Sequence, residues 1–497
     1  MTDVSSPIAQ SHSLSTQPLE RTPAAVWSAI ALNTLILFVC SSARHHLFQS
    51  TAFDLGIFDQ VAYLMSRGLP PFCTINSIHH MADHAAWAFY LVAPLYWLYP
   101  SVSWLFAIQA ASLSLGAWPL WHLARMGGLN RSQAIGTTAV YLLYPALFNA
   151  NLFDFHPEVM AVPALLGAIL AAKRDRPLGF AIAIVFAAGC KFILALPVAA
   201  MGIWLLVAER KWLCGVLALG FGSLWFAIAT QAIVPLFKSG SQHAGLARYA
   251  YLGNSIPEIV LNFFVKPGLA LGKVFSLETL GYLALLLLPA IWALSIQKLA
   301  PLIAALPALG LNVLSTVDAQ RDLVHQYQLP ILPFLMLAVI GGLTVGRRRA
   351  LGRRAMTILS ILAFLALAKF GYFWTRYVGE LDTAPATREA IALVEPRGSV
   401  LTTASIVPHL SHRATIQSTQ VANPPATAEA FDFVLLNLRH PGWSSSPEYA
   451  GRLLQQVERS PQFESVYRRD DVVLFRRKIE GSERSELMQP AERDLTG

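Results

Sequence analysis

The chain has 497 residues, of which 55% are hydrophobic and only 13% are Asp, Glu, Lys or Arg. An ordinary soluble domain carries roughly a quarter charged residues, so the fully soluble classes are excluded. The apolar content, unperiodic Gly and four Cys also exclude disordered, collagenous and disulfide-scaffold chains. The net charge of +8 comes from Arg and Lys at the ends of apolar runs, where membrane topology accounts for it, and no nucleic-acid partner is implied.

In chain order, residues 1–22 are polar and Ser/Thr-rich and are expected to form a disordered cytoplasmic tail, with no cleaved leader. Residues 23–374 read as an all-α polytopic transmembrane domain. A spanning helix needs about 20 apolar residues. Spans are therefore expected near 24–42, 102–124, 132–149, 158–173, 212–236, 279–296, 299–314, 329–346 and 355–374. The 85–99 run, interrupted by Pro94, is expected to lie in the outer interface. The 178–208 run is too long for one span and carries Lys191 in its middle.

Cytoplasmic loops collect Lys and Arg, and the strongest clusters are Lys173-Arg174-Asp175-Arg176, Arg210-Lys211 and Arg347-Arg348-Arg349. Placing all three inside requires 178–208 to enter and return as a helical hairpin with Lys191 at its tip. The count becomes eleven membrane segments, with a cytoplasmic N-terminus and an extracytoplasmic C-terminus. Of the eleven acids in residues 23–374, nine then face outward. The outer face uses carboxylates for something.

Residues 375–497 hold 30 of the 66 formal charges and read as water-soluble. Thr387–Val394 and Glu448–Val457 are expected helices, and Ser399–Thr402, Phe431–Leu436 and Val472–Phe475 expected strands. Residues 375–478 thus form a small extracytoplasmic α/β domain, with 479–497 a disordered tail. No nucleotide-binding glycine loop, metal-spaced Cys/His set or nucleophile elbow occurs there, which suits an accessory role.

The candidate chemistry sits in the outer loops. F-D-L-G-I-F-D-Q at 53–60 opens an amphipathic stretch suited to an interfacial helix. Asp54 is either a helix cap or a carboxylate serving as general base, and Asp59 is a weaker substrate-binding candidate that one helix face would hold unaided. H-H-M-A-D-H at 79–84 places His80 and His84 four residues apart beside Asp83, a set able to hold a divalent metal if helical, or else an ordinary hydrated loop. N-L-F-D-F-H-P-E at 151–158 packs Asp154, His156 and Glu158 into a very short loop, where Glu158 either favours the next helix N-terminus or lines a substrate cavity. Lys191 is an intramembrane cation that either snorkels or acts on substrate. Arg321, His325, Gln326 and Tyr327 have the chemistry to hold an anion such as a phosphate.

These motifs, together with L-V-A-P-L-Y-W-L-Y-P at 91–100, H-Q-Y-Q-L-P-I-L-P-F at 325–334 and S-I-V-P-H-L-S-H-R at 405–413, resemble the bacterial and archaeal membrane family called domain of unknown function 2079 (DUF2079). That family is similar to the GT-C superfamily of polytopic glycosyltransferases, which take sugar from a polyprenyl-phosphate carrier and place an acid in the first outer loop. The resemblance implies a GT-C-like fold, Asp54 as the matching acid, and an inverting transfer to an extracytoplasmic acceptor at the cell membrane. The chain departs from the family after Lys191, where Phe192 and Ile193 stand in place of a frequent acidic pair. A membrane transporter or flippase is the alternative, since half-span hairpins occur in transporters.

Overall fold

The structure, a computed structural model, describes residues 19–238, 245–346, 351–421 and 427–478. Most of the expected N-terminal tail, the Arg347–Arg349 cluster and the expected C-terminal tail lie outside the described residues. The chain divides into two compact units. One comprises Met1–Arg44, Met65–Phe72 and Ile78–Trp374, and the other His45–Leu64, Cys73–Ser77 and Thr375–Gly497. The second unit therefore takes in the F-D-L-G-I-F-D-Q segment, which the sequence pattern assigns to the membrane domain.

The first unit is helical. Helices occur within or across every expected span, but many are short or broken. The 102–124 run forms Ser103–Leu115 and Ala117–Met126, and the 132–149 run forms Arg131–Leu142 and Pro145–Leu152, broken ahead of Pro145. Among the described residues, only Ala24–His46 and Trp212–Phe237 are long and apolar enough to cross a membrane individually. Pro267–Val274 and Leu277–Leu287 would make a third crossing as a pair bent by 50°. Among the described residues helix length thus supports two or three crossings, and the eleven segments expected from composition are not confirmed by it. The helices between 85 and 99 are a 3-10 turn at Trp87–Val92 and Ala93–Leu98, exposing Leu91, Trp97, Leu98 and Tyr99. Such a mixture of aromatic and aliphatic groups suits a membrane interface.

The region around Lys191 does turn back on itself. Lys173 Nζ meets Glu209 Oε2 at 2.6 Å, and Lys211 Nζ meets Asp175 Oδ1 at 2.6 Å. These crossed ion pairs hold the two ends of 177–207 together, so helices Pro177–Cys190 and Ala195–Val207 leave and return. Lys191 lies between them in extended conformation, with φ −165°. The returning arm packs backbone to backbone on Trp212–Ile228. A Cβ added at Gly202 would fall 2.4 Å from Leu219 N, and one at Gly222 2.6 Å from the Ala195 carbonyl oxygen. Small residues permit that approach.

The second unit is α/β, with a five-stranded sheet ordered Ile416–Ser418, Val400–Thr402, Phe433–Asn437, Val472–Arg477, Phe463–Arg469. The first three strands are parallel and the last two antiparallel. Helix Pro447–Arg459 places Leu453 and Val457 against Val434, Leu436 and Val473 in the core.

Helix Ile57–Ser66 corrects an expectation. It is not half-exposed, as an interfacial helix would be: Ile57, Phe58, Asp59, Gln60, Val61, Ala62 and Leu64 are all buried. Its polar residues find partners within the second unit, and those partners remove the need for a solvated face.

Candidate functional site

In the first unit, the candidate loop residues are positioned by short, irregular elements. The helix His80–His84 is capped by His79, whose Nδ1 accepts from the Met81 amide at 3.2 Å, and ends at Ala85 with φ +45°. His80 Nε2 donates to the Ala86 carbonyl at 3.1 Å, and burial pulls its pKa down to about 4, so the ring is neutral. Burial raises the carboxyl pKa of Asp83 and holds His84 well below the usual imidazole value. The charges of Lys191 and Glu158 act on both groups. Asp83 and His84 face each other at 3.4 Å. Among the described residues no three His, Cys, Asp or Glu side chains gather as metal ligands. His80, Asp83 and His84 do not form the cage their spacing suggests, because His80 turns its ring nitrogen to Ala86.

The 151–158 loop is tied down by two buried ion pairs. Asp154, at φ +111°, pairs with Arg44, and both side chains are buried. A non-glycine residue at that φ is strained and needs such support. Glu158 opens helix Glu158–Lys173, and its Oε1 accepts from Lys191 Nζ at 2.5 Å. The other oxygen, Glu158 Oε2, is buried without a hydrogen-bond partner. The Phe192-Ile193 departure therefore does not leave Lys191 without an acid: Glu158 supplies it from 33 residues away. His156 stacks on Phe153 at 5.6 Å, and Phe153 meets the His325 ring edge at 4.1 Å.

The 318–330 loop differs in detail from its expected use. Arg321 is held within its own loop by the Ser315 carbonyl and by Asp318 Oδ1 at 2.6 Å. His325 pairs with Asp322 at 2.7 Å, and Gln326 is buried with Oε1 unpartnered. The cation beside Tyr327 is Arg248, missed by sequence reasoning. Its guanidinium lies 5.7 Å from the Tyr327 ring centroid and donates to the hydroxyl at 3.4 Å. Tyr327 is also within electrostatic reach of Lys191. Asp83, His84, His156, Glu158, Lys191 and Tyr327 thus form one electrostatically connected group.

Asp54 and Asp59 belong to the second unit. Asp54 is the third residue of a π-helical turn, Ala52–Gly56, whose cap is Thr51. It is half-buried and accepts from Thr51 Oγ1 at 3.4 Å, so it is not the helix cap. Asp59 is no weakly held surface acid. Its carboxylate is buried and accepts from Ser411 Oγ and from His412 Nε2 at 3.1 Å, with Tyr63 stacked flat on His412 at 5.1 Å. Beside it Gln60 is fully engaged: Nε2 donates to Thr74 Oγ1 at 2.8 Å and to the Arg413 carbonyl at 3.2 Å, and Oε1 accepts from the Thr74 amide at 3.0 Å. The F-D-Q and S-H-R motifs are two halves of one clasp.

Residues 44–474 match the family model described as "Predicted membrane protein (DUF2079)". The chain belongs to this family. DUF2079 membership makes it a membrane protein. No curated protein matches it by sequence. Among solved structures it is similar to ArnT from Cupriavidus metallidurans bound to undecaprenyl phosphate, with TM-score 0.56, 12% identity, and coverage of 91% of this chain and 98% of that one. The apo form of the same protein matches with TM-score 0.56 and 13% identity over 90% and 97%. At that identity the likeness concerns the fold alone, and it covers nearly the whole chain.

Proposed function

We propose that this DUF2079 protein is a glycosyltransferase that moves a sugar from a polyprenyl-phosphate carrier to an extracytoplasmic acceptor. The observation that carries the reading is the end-to-end similarity of fold to a protein crystallised with undecaprenyl phosphate. In this reading Asp54, at the position of the family acid, takes the acceptor hydroxyl proton as the oxygen attacks the anomeric carbon. The bond from that carbon to phosphate breaks on the opposite face, with inversion, and the polyprenyl phosphate leaves. Within the first unit, Lys191 and Arg248 are cations of the sign that a polyprenyl phosphate needs. No step is assigned to a metal. The crossed pairs Lys173–Glu209 and Lys211–Asp175 support placing that end in the cytoplasm of a cell-membrane protein.

The test is incubation of purified protein with radiolabelled polyprenyl-phosphate sugars. Transfer is expected with wild type, and Asp54→Asn is expected to lower turnover by roughly 10²–10⁴-fold. Wild-type turnover in Asp54→Asn would remove it as the base. Substrate counterflow in liposomes without transfer would instead favour a transporter.

A further inference from the structure

The first unit carries a groove that the proposed reaction does not use. Its floor is one face of helix Glu158–Lys173, where Met160, Pro163, Ala164 and Gly167 recur at helical spacing. Ala164 and Gly167 contribute little side chain, and a Cβ added at Gly167 would meet nothing within 4 Å. The space left open is a cavity of about 610 Å³. Its walls are Trp27 of Ala24–His46, Leu115 and Trp118 on either side of the Gly116 break, and Phe186 of Pro177–Cys190. Apart from Ser112 the lining is apolar or aromatic.

The groove faces away from the Lys191–Glu158 pair. Glu158 precedes Met160 by two residues and Gly167 by nine. At about 100° per residue it projects about 160° and 180° from them. A chain lying in the groove is therefore not one whose phosphate sits at Lys191. The two ends of the groove also differ. Trp27, 45% exposed, is the fourth residue of Ala24–His46, and just before that helix Glu20 meets Arg125 at 2.7 Å and Thr22 meets His122 at 3.1 Å. Arg174 is within electrostatic reach of His122. Helix Glu158–Lys173 ends, and Pro177–Cys190 begins, in Lys173-Arg174-Asp175-Arg176, three cations to one acid, with Arg176 exposed. Indoles beside a basic cluster are the mark of a lipid headgroup layer.

We propose that this groove holds an acyl chain of an anionic phospholipid, with the headgroup at the end where Arg125, Arg174 and Arg176 lie. The lipid is structural: its chain covers the apolar floor that these helices leave open, and it takes no part in sugar transfer. A hydrocarbon chain brings no polar group into the groove, whereas an extended protein segment would bring backbone N–H and C=O groups that the lining cannot satisfy. A zwitterionic lipid matches the groove but not the surplus of positive charge at its end. The proposal stands apart from the glycosyltransferase reading.

The experiment is native mass spectrometry of the full-length chain released from vesicles of phosphatidylglycerol and phosphatidylcholine in equal parts, beside thermal unfolding in detergent with each lipid added. Wild type is expected to retain phosphatidylglycerol about fivefold over phosphatidylcholine, as for one cation at a headgroup, and to melt higher with it. Gly167→Leu fills the groove from a position with open space around it. It is expected to lower retention roughly tenfold, as for the loss of about two buried methylenes, and to abolish the rise in melting temperature. Leu178→Ala, 74% exposed on the helix of Phe186 but outside the lining, is expected to change neither. In wild type, phosphatidylglycerol with a mid-chain diazirine is expected to label peptides containing Ala164 or Phe186, a readout that needs no variant to fold. Equal retention of the two lipids, retention unchanged in Gly167→Leu, or labelling no stronger there than at Leu178 and Ile182 would each overturn the proposal. Displacement of phosphatidylglycerol by undecaprenyl phosphate would also overturn it, and would give the groove to a carrier lipid.

Discussion

The buried pair of Lys191 and Glu158 yields the sharpest quantitative prediction. The charged atoms are 2.5 Å apart, with 13% and 5% of the two side chains exposed. At an effective dielectric of about 20 their attraction is about 7 kcal/mol, against a desolvation penalty of several kcal/mol for each ion. Lys191→Met leaves the Glu158 carboxylate buried with neither oxygen balanced by this cation, and is expected to cost about 3–5 kcal/mol. Glu158→Gln should cost less, because Asp83 still acts on Lys191. The double variant removes both charges and should recover most of the loss, since neutral replacements of a buried pair are often tolerated. Unfolding of wild type, both single variants and the double variant in detergent measures the coupling. A value of about 2 kcal/mol or more is expected. Additive losses, with coupling below about 0.5 kcal/mol, would refute a direct pair.

Three further outcomes follow from the geometry. Reporter fusions after residues 130, 175 and 210 should report cytoplasm and fusions after 70, 255 and 400 the outside; a cytoplasmic signal at 400 would sink the topology built on the hairpin. Asp59→Asn replaces one acceptor oxygen by a donor facing Ser411 and His412, and should lower second-unit stability by roughly 1–3 kcal/mol; an unchanged thermal transition would contradict the clasp. Burial, with the His46 and Arg388 charges, pulls His409 down to about 3, whereas an unfolded His titrates near 6.5. Between those values the unfolded chain takes up a proton that the folded chain does not, so stability should fall as pH drops below about 6.5, and His409→Phe should flatten that fall.

Much of the fold is legible where hydrophobic pattern is strong. Helices occur where apolar runs predict spans, and the Lys and Arg clusters predict a return at Lys191, because charge in an apolar run has few places to go. Strands Val400–Thr402, Phe433–Asn437 and Val472–Arg477 fall on their apolar runs. Two strands are invisible for a physical reason. Ile416–Ser418 has three residues, and Phe463–Arg469 is an exposed edge strand rich in Glu and Arg, interrupted by an irregularity between Ser465 and Tyr467. Edge strands are kept polar to discourage further pairing, and that polarity erases the strand signal.

For the site, residue type is legible and valence is not. Scarcity of charge makes the outer-loop acids conspicuous, but in a low-dielectric setting each buried acid requires a partner, and the partners lie far along the chain. Asp154 is matched by Arg44, 110 residues away, and Asp59 by His412, 353 residues away. Helical periodicity assigns Asp59 to an open face, and nothing local in F-D-Q reveals that Ser411 and His412 cover it. Glu158 is paired with Lys191 through Oε1, and its Oε2 is buried without a hydrogen-bond partner. Arg248 donates to the Tyr327 hydroxyl at 3.4 Å, whereas Arg321 is held by two oxygens of its own loop. Residue type thus singles out the loops from sequence, and the pairing of each charge is visible only once the chain is folded.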